Sequence, residues 1–231
     1  ASEAELRSLI AEAAASLADV SIYLPPSADF KLGSEIRCSS IIKVTVASSG
    51  EGATLDGQEQ TGLFKLEGGC SLTLRGLTLV NGNASYYGGV VDAYQAGDVE
   101  IIDSDVRDCS ASRGGVVAAY DSGAVSITGS NVSGCSASNG GVVYAYANSG
   151  AVSIIGSNVT SCSAGDRGGA TSTFATDLNV IDSTISDCRA RRGGAVYVES
   201  DVRRSASLVR STISNCIATE SGGGLYSAGG R

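Results

Sequence analysis

Five cysteines carry the most regular spacing in this chain. Cys109, Cys135, Cys162, Cys188 and Cys216 follow one another at intervals of 26, 27, 26 and 28 residues. A row of thiols can be a redox site, a set of disulfides or a stack of small core residues. No CxxC pair occurs, so the usual zinc and dithiol spacings are absent and no metal site is assigned. Seven cysteines leave at least one unpaired. The five are read as a structural column of stacked, largely reduced core residues, because in-register neighbours seldom meet disulfide geometry. Cys38 and Cys70 fall outside that column and find no place in it. The sequence contains no histidine, which removes Ser-His-Asp and Cys-His catalysis together with every His-ligated metal.

Carboxylates give the next candidates. Asp103, Asp105 and Asp108 lie close together with Arg107 among them; they are weak catalytic candidates, and a solvated turn is the plainer reading. Asp103 and Asp182 share one repeat position, and Asp108 and Asp187 another, but each pair is three repeats apart. At the spacing of stacked strands that is about 14 Å, too far to share a metal or act on one glycosidic bond. Tyr94, Tyr120, Tyr146 and Phe174 form an aromatic column that ends at Glu199. Outward, it would be a strip for binding a sugar or a protein; inward or under loops, it would be packing. Asn83, Asn131 and Asn158 stand in N-x-S/T sequons and would accept glycans in a secretory pathway. The plainer reading puts Asn131 and Asn158 in a polar column with Asp105, Thr184 and Thr212.

The elements that must position these residues are short and repeated. Relative to each cysteine of the column, a serine lies five residues before: Ser104, Ser130, Ser157, Ser183 and Ser211. A branched apolar residue lies three before: Val106, Val132, Val159, Ile185 and Ile213. A Gly-Gly pair follows, as at Gly114-Gly115 and Gly140-Gly141, and accounts for much of the glycine total of 31. Between these markers run three short β-type segments with no helical period. The fold class is therefore all-β: a single-domain parallel β-helix, a solenoid of coils of about 26 residues. Residues 1–19 form an N-terminal amphipathic capping helix with Leu6, Leu9, Ile10, Ala13, Ala14 and Leu17 on its apolar face and a Ser2/Glu5 capping box. Residues 20–89 form irregular coils and 90–231 regular ones, with the last coil truncated or covered by a partner.

The chain has 231 residues and a formal net charge of −8, with 42% hydrophobic and 17% charged residues. That charge argues against nucleic acid and against an anionic membrane surface. No apolar run approaches the roughly 18 residues of a membrane span. The first residues lack a basic signal-peptide region, and no methionine is present, so the chain reads as a processed piece of a longer precursor.

The strand ending Leu24-Pro25, the phrase ATLDG at Ala53–Gly57 and the phrase LTLRGLTLVNG at Leu72–Gly82 resemble the opening coils of right-handed parallel β-helix proteins of the pectin-lyase-like superfamily. The repeats are also similar to those of polymorphic outer-membrane proteins, where asparagine commonly stands in the cysteine position, as Asn83 does here. The resemblance implies either a polysaccharide lyase or hydrolase, the former with Ca²⁺, or a non-catalytic scaffold. The histidine motif of the pectin hydrolases is missing. The expectation is a non-catalytic structural and interaction scaffold without a cofactor, presenting a flat face to a protein partner, a larger assembly or a glycan. The alternative is a carbohydrate-active enzyme. Secretion or display at the cell surface is expected, with an organelle lumen as the alternative.

Overall fold

The computed structural model describes residues 2–199 and 205–228. The helical region read as 1–19 and the regular region read as 90–231 therefore include residues 1, 200–204 and 229–231, which lie outside the described residues. Every strand pairing in the described residues is parallel, and strands from successive coils stack into three eight-stranded sheets and one of six. The sheets are named here in the order that a coil visits them. The first sheet shows the advance along the solenoid. Val20, Val44, Leu72, Val99, Val125, Val152, Leu178 and Ala206 are in register in turn.

From Asn83 onward each coil has four strands rather than the expected three. In one coil they are Val99–Ile102, Asp105–Arg107, Ser110–Arg113 and Val117–Tyr120, which belong to the first, second, third and fourth sheets. The third strand escapes a hydrophobicity reading because its residues, Ser-Ala-Ser-Arg here, are polar or small and partly solvated. This added strand separates the early coils from the later ones, and the six-stranded third sheet begins at Asn83–Tyr87.

Core positions repeat from coil to coil. Val106, Val132, Val159 and Ile185 are fully buried and paired one to the next, with Ile213 packed against the same core. Branched side chains suit these columns because they fit a pleated surface with little loss of rotamer freedom. The serine column makes a second ladder. The backbone N–H of Ser104 donates to Ser130 Oγ, Ser130 to Ser157 and Ser157 to Ser183, each at 3.1 Å. Each hydroxyl in turn donates to a carbonyl two residues before it, such as Ser157 Oγ to Ile155 O at 2.9 Å. The corners thus satisfy buried backbone groups that no strand can reach.

Gly114 adopts φ +64°, a left-handed conformation that L side chains rarely take. A Cβ on its neighbour Gly115 would overlap the carbonyl of Gly141 in the next coil. The Gly-Gly pair therefore answers two constraints, one of angle and one of space.

The helix Glu3–Ser16 packs over the first-coil strands Val20–Tyr23 and Ile36–Cys38. Its capping box is formed by Ser2 and Glu5. Leu6, Ile10 and Ala13 are buried. Leu9 and Leu17 depart from the expected apolar face: Leu9 is 40% exposed, and Leu17 is the left-handed C-cap, 71% exposed. Arg7 clamps the helix by donating Nη1 to Glu35 O at 2.8 Å and Nε to Glu3 at 2.9 Å. Cys38 and Cys70, unplaced from sequence, form a disulfide across the early coils.

Candidate binding face

The fourth sheet carries the strongest concentration of aromatic side chains, and strand alternation explains how they arise. Along Val117–Tyr120, Val117 and Ala119 enter the core, so Ala118 and Tyr120 face outward. Two outward columns result. One contains Tyr94, Tyr120 and Tyr146, paired in sequence, with Phe174 following and Glu199 paired to Phe174. The other contains Lys65, Asp92, Ala118, Tyr144, Ser172, Tyr197 and Tyr226.

Tyr94 is 45% exposed and Tyr146 38%, while Tyr120 and Phe174 are half-buried. Ring centroids lie 5.6 Å apart from Tyr94 to Tyr120 and 5.4 Å from Tyr120 to Tyr146, with interplanar angles of 22° and 23°. The ladder then crosses columns. Phe174 meets Tyr197 at 5.9 Å, and Tyr197 stacks on Tyr226 at 5.2 Å. The crossing compensates for Glu199, which interrupts the first column. Sequence reasoning misses Tyr144 and Tyr197; a search at alternate residues back from the tyrosine column finds them.

Arginines of the third sheet border this face. Arg167 lies 5.1 Å from the ring centroids of both Phe174 and Tyr197. Arg192 Nη2 donates to Asp166 at 2.8 and 3.0 Å. Burial opposes the Asp166 charge, but Arg192, Arg167 and Arg191 together outweigh it and hold its pKa below the usual carboxylate range. Tyr197 donates to Glu199 Oε2 at 2.9 Å. Burial, with that hydrogen bond, pushes its pKa up to about 12.

At the other end, Asp92 is only 8% exposed and accepts from Lys65 Nζ at 3.2 Å. Burial raises the Asp92 pKa despite the attraction of Lys65. For Lys65, burial works against the charge, but Asp92, Glu67 and Glu35 win and the pKa is raised. The contact is attractive, yet it does not fully offset the dehydration of Asp92.

The other sequence candidates stand elsewhere. Asp105 pairs with Arg107 at 2.7 Å on the solvated side of the second sheet. Asp103 and Asp108 adopt φ +48° and +56° in the turns on either side of that strand. Their columns continue as Gly129, Gly156, Asp182 and Arg210, and as Gly134, Ser161, Asp187 and Asn215, all left-handed. Aspartate and asparagine tolerate that conformation, so these positions are accounted for by turn geometry. Among the described residues no group of three or more Cys, Asp or Glu side chains is placed to hold a metal.

Asn83, Asn131 and Asn158 are exposed, and Asn131 and Asn158 are in register with Asp105, Thr184 and Thr212. Cys109, Cys135, Cys162 and Cys188 are buried free thiols, and Cys216 is half-buried. Each donates to the carbonyl two residues before it, for example Cys135 to Ser133 O at 3.3 Å. The neighbouring thiol, followed by burial, pushes the Cys188 pKa far above its ordinary value. Such thiols are poor nucleophiles.

No helix of the described residues is long and apolar enough to cross a membrane. No family model matches the sequence, and comparison with curated proteins and with solved structures yields no match.

Proposed function

We propose that this protein is a non-catalytic interaction scaffold whose fourth sheet presents its aromatic outer face to a protein partner within a larger assembly. One observation carries the reading: Tyr94, Tyr120 and Tyr146 point outward and stack on one another at 5.6 and 5.4 Å. Stacking covers both faces of the Tyr120 ring and one face of Tyr94, so the column offers no run of open ring faces. A sugar ring needs an open aromatic face, whereas protein interfaces are enriched in tyrosine and arginine, as this surface is.

The enzyme alternative has less to build on. Asp103 and Asp108 are accounted for by left-handed turns, and Asp105 and Arg107 by their surface ion pair. Kinship with the right-handed pectin-lyase-like proteins is part of the proposal. It is supported by the ATLDG and LTLRGLTLVNG phrases falling on early-coil strands Ala53–Asp56, Ser71–Arg75 and Leu77–Val80. The Cys38–Cys70 disulfide supports an oxidising location, either secreted, at the cell surface or in an organelle lumen.

The test is co-purification from native material with the Tyr120→Ala/Tyr146→Ala double variant, using Thr160→Ala on the second sheet as control. The face reading requires the double variant to keep its circular dichroism and lose the partner. A folded double variant that retains the partner as well as the control does would overturn it.

A further inference from the structure

The outer face of the fourth sheet has a gap large enough to hold a chemical group. Lys65, Asp92, Ala118 and Tyr144 occupy equivalent positions in successive coils. Between Asp92 and Tyr144 the column carries only the methyl group of Ala118. A cleft of about 330 Å³ opens there, lined also by Lys65, Glu67, Tyr87, Tyr94 and Tyr120. An adjoining cleft shares Lys65, Tyr87 and Asp92 and adds Glu35.

The lining combines rings with one more carboxylate than ammonium: Glu67 and Asp92 both pair with Lys65, at 3.5 and 3.2 Å, while Glu35 of the adjoining cleft lies 3.4 Å from Arg37. Asp92 Oδ2 accepts from Lys65, and Oδ1 accepts no hydrogen bond among the described residues. The chain also supplies a precedent for what these rings accept. Arg113 Cζ lies 5.6 Å from the ring centroids of both Tyr87 and Tyr144, and Arg113 Nη1 donates to Tyr87 Oη at 2.9 Å. A guanidinium is attracted by ring faces and offers five N–H donors to carboxylate and phenol oxygens.

We infer that this cleft receives the guanidinium of an arginine side chain of the protein partner, an inference that rests on the partner-face reading above. Asp92 and Glu67 supply charge and acceptors, Tyr144 and its neighbours supply the rings, and Ala118 supplies the room.

The probe is N-acetyl-arginine methylamide, titrated into the full chain and followed by NMR at the Ala118 methyl and the tyrosine rings. Saturable shifts are expected, with a dissociation constant on the order of millimolar for one isolated side chain. The neutral isostere N-acetyl-citrulline methylamide should bind at least about tenfold more weakly, because it lacks the charge. Ala118→Leu should abolish binding by filling the cleft. Asp92→Asn should weaken it by about tenfold, and keeps the test intact if the leucine variant does not fold. Equal binding of citrulline, unchanged binding by a folded Ala118→Leu variant, or no saturable shift would each overturn the inference. If the partner is still captured through Tyr120 and Tyr146 while the arginine probe fails, the cleft inference falls and the face reading stands. If the tyrosine double variant keeps the partner while the probe binds, the face reading falls and with it the assignment of the arginine to the partner, and only the affinity of the cleft for a guanidinium stands.

Discussion

Replacing Ser157 by alanine tests whether the serine ladder closes the corners of the solenoid. Ser157 is 4% exposed, and its Oγ accepts from Ser130 N at 3.1 Å while donating to Ile155 O at 2.9 Å. Alanine removes both bonds and leaves the buried Ser130 N–H without an acceptor. An unsatisfied buried donor costs about 1–3 kcal/mol, and the lost donor bond adds about 1 kcal/mol. The expected destabilisation is therefore about 2–4 kcal/mol, or roughly 4–16 °C in Tm for a chain of this size. Urea unfolding followed by circular dichroism measures the energy, and amide hydrogen exchange at Ser130 reports the site. Ser133→Ala, on the outer face of the second sheet, is the control and should stay within about 0.5 kcal/mol of the parent. A Ser157→Ala variant as stable as that control, with Ser130 still protected, would refute the reasoning.

Thr171 is fully buried with no hydrogen-bond partner for its hydroxyl among the described residues, and it sits in register between Val143 and Val196. Thr171→Val should stabilise the protein by about 1 kcal/mol in urea unfolding, and any destabilisation beyond error would contradict the packing described. Alkylation of the native protein should reach half-buried Cys216 before Cys109, Cys135, Cys162 and Cys188, with five thiols labelled after unfolding without reductant; equal native rates would contradict the buried column. Because burial raises the Asp92 pKa, its protonated form contributes stability that is fully present below the unfolded value of about 3.9 and lost as pH rises through the raised folded value. Asp92→Asn should flatten that part of the pH–stability profile, and an unchanged profile would show that Asp92 is not the group responsible.

The repeat was legible because stacked coils place like residues over like. The cysteine intervals mark the coil length, and Val106, Val132, Val159 and Ile185 are paired one to the next in the structure. The third strand was not legible, since Ser-Ala-Ser-Arg and Arg-Ala-Arg-Arg segments carry no alternating apolar signal. Nor was the second outward column, because Ala118 and Ser172 interrupt its tyrosines. The cleft depends on the smallness of Ala118 and on Lys65 and Asp92 at its early-coil end, a combination that no motif announces. The Cys38–Cys70 disulfide joins two residues outside the period, so repeat spacing carried no information about it.

The outward tyrosines are the proposed partner face. Its most direct test places the photoreactive p-benzoylphenylalanine at Tyr146 or, separately, at Ser153 on the first sheet, followed by irradiation of the native assembly and mass spectrometry. A cross-linked partner peptide is expected from position 146 and none above background from position 153. Equal yields from the two positions, or a partner captured only from position 153, would contradict it.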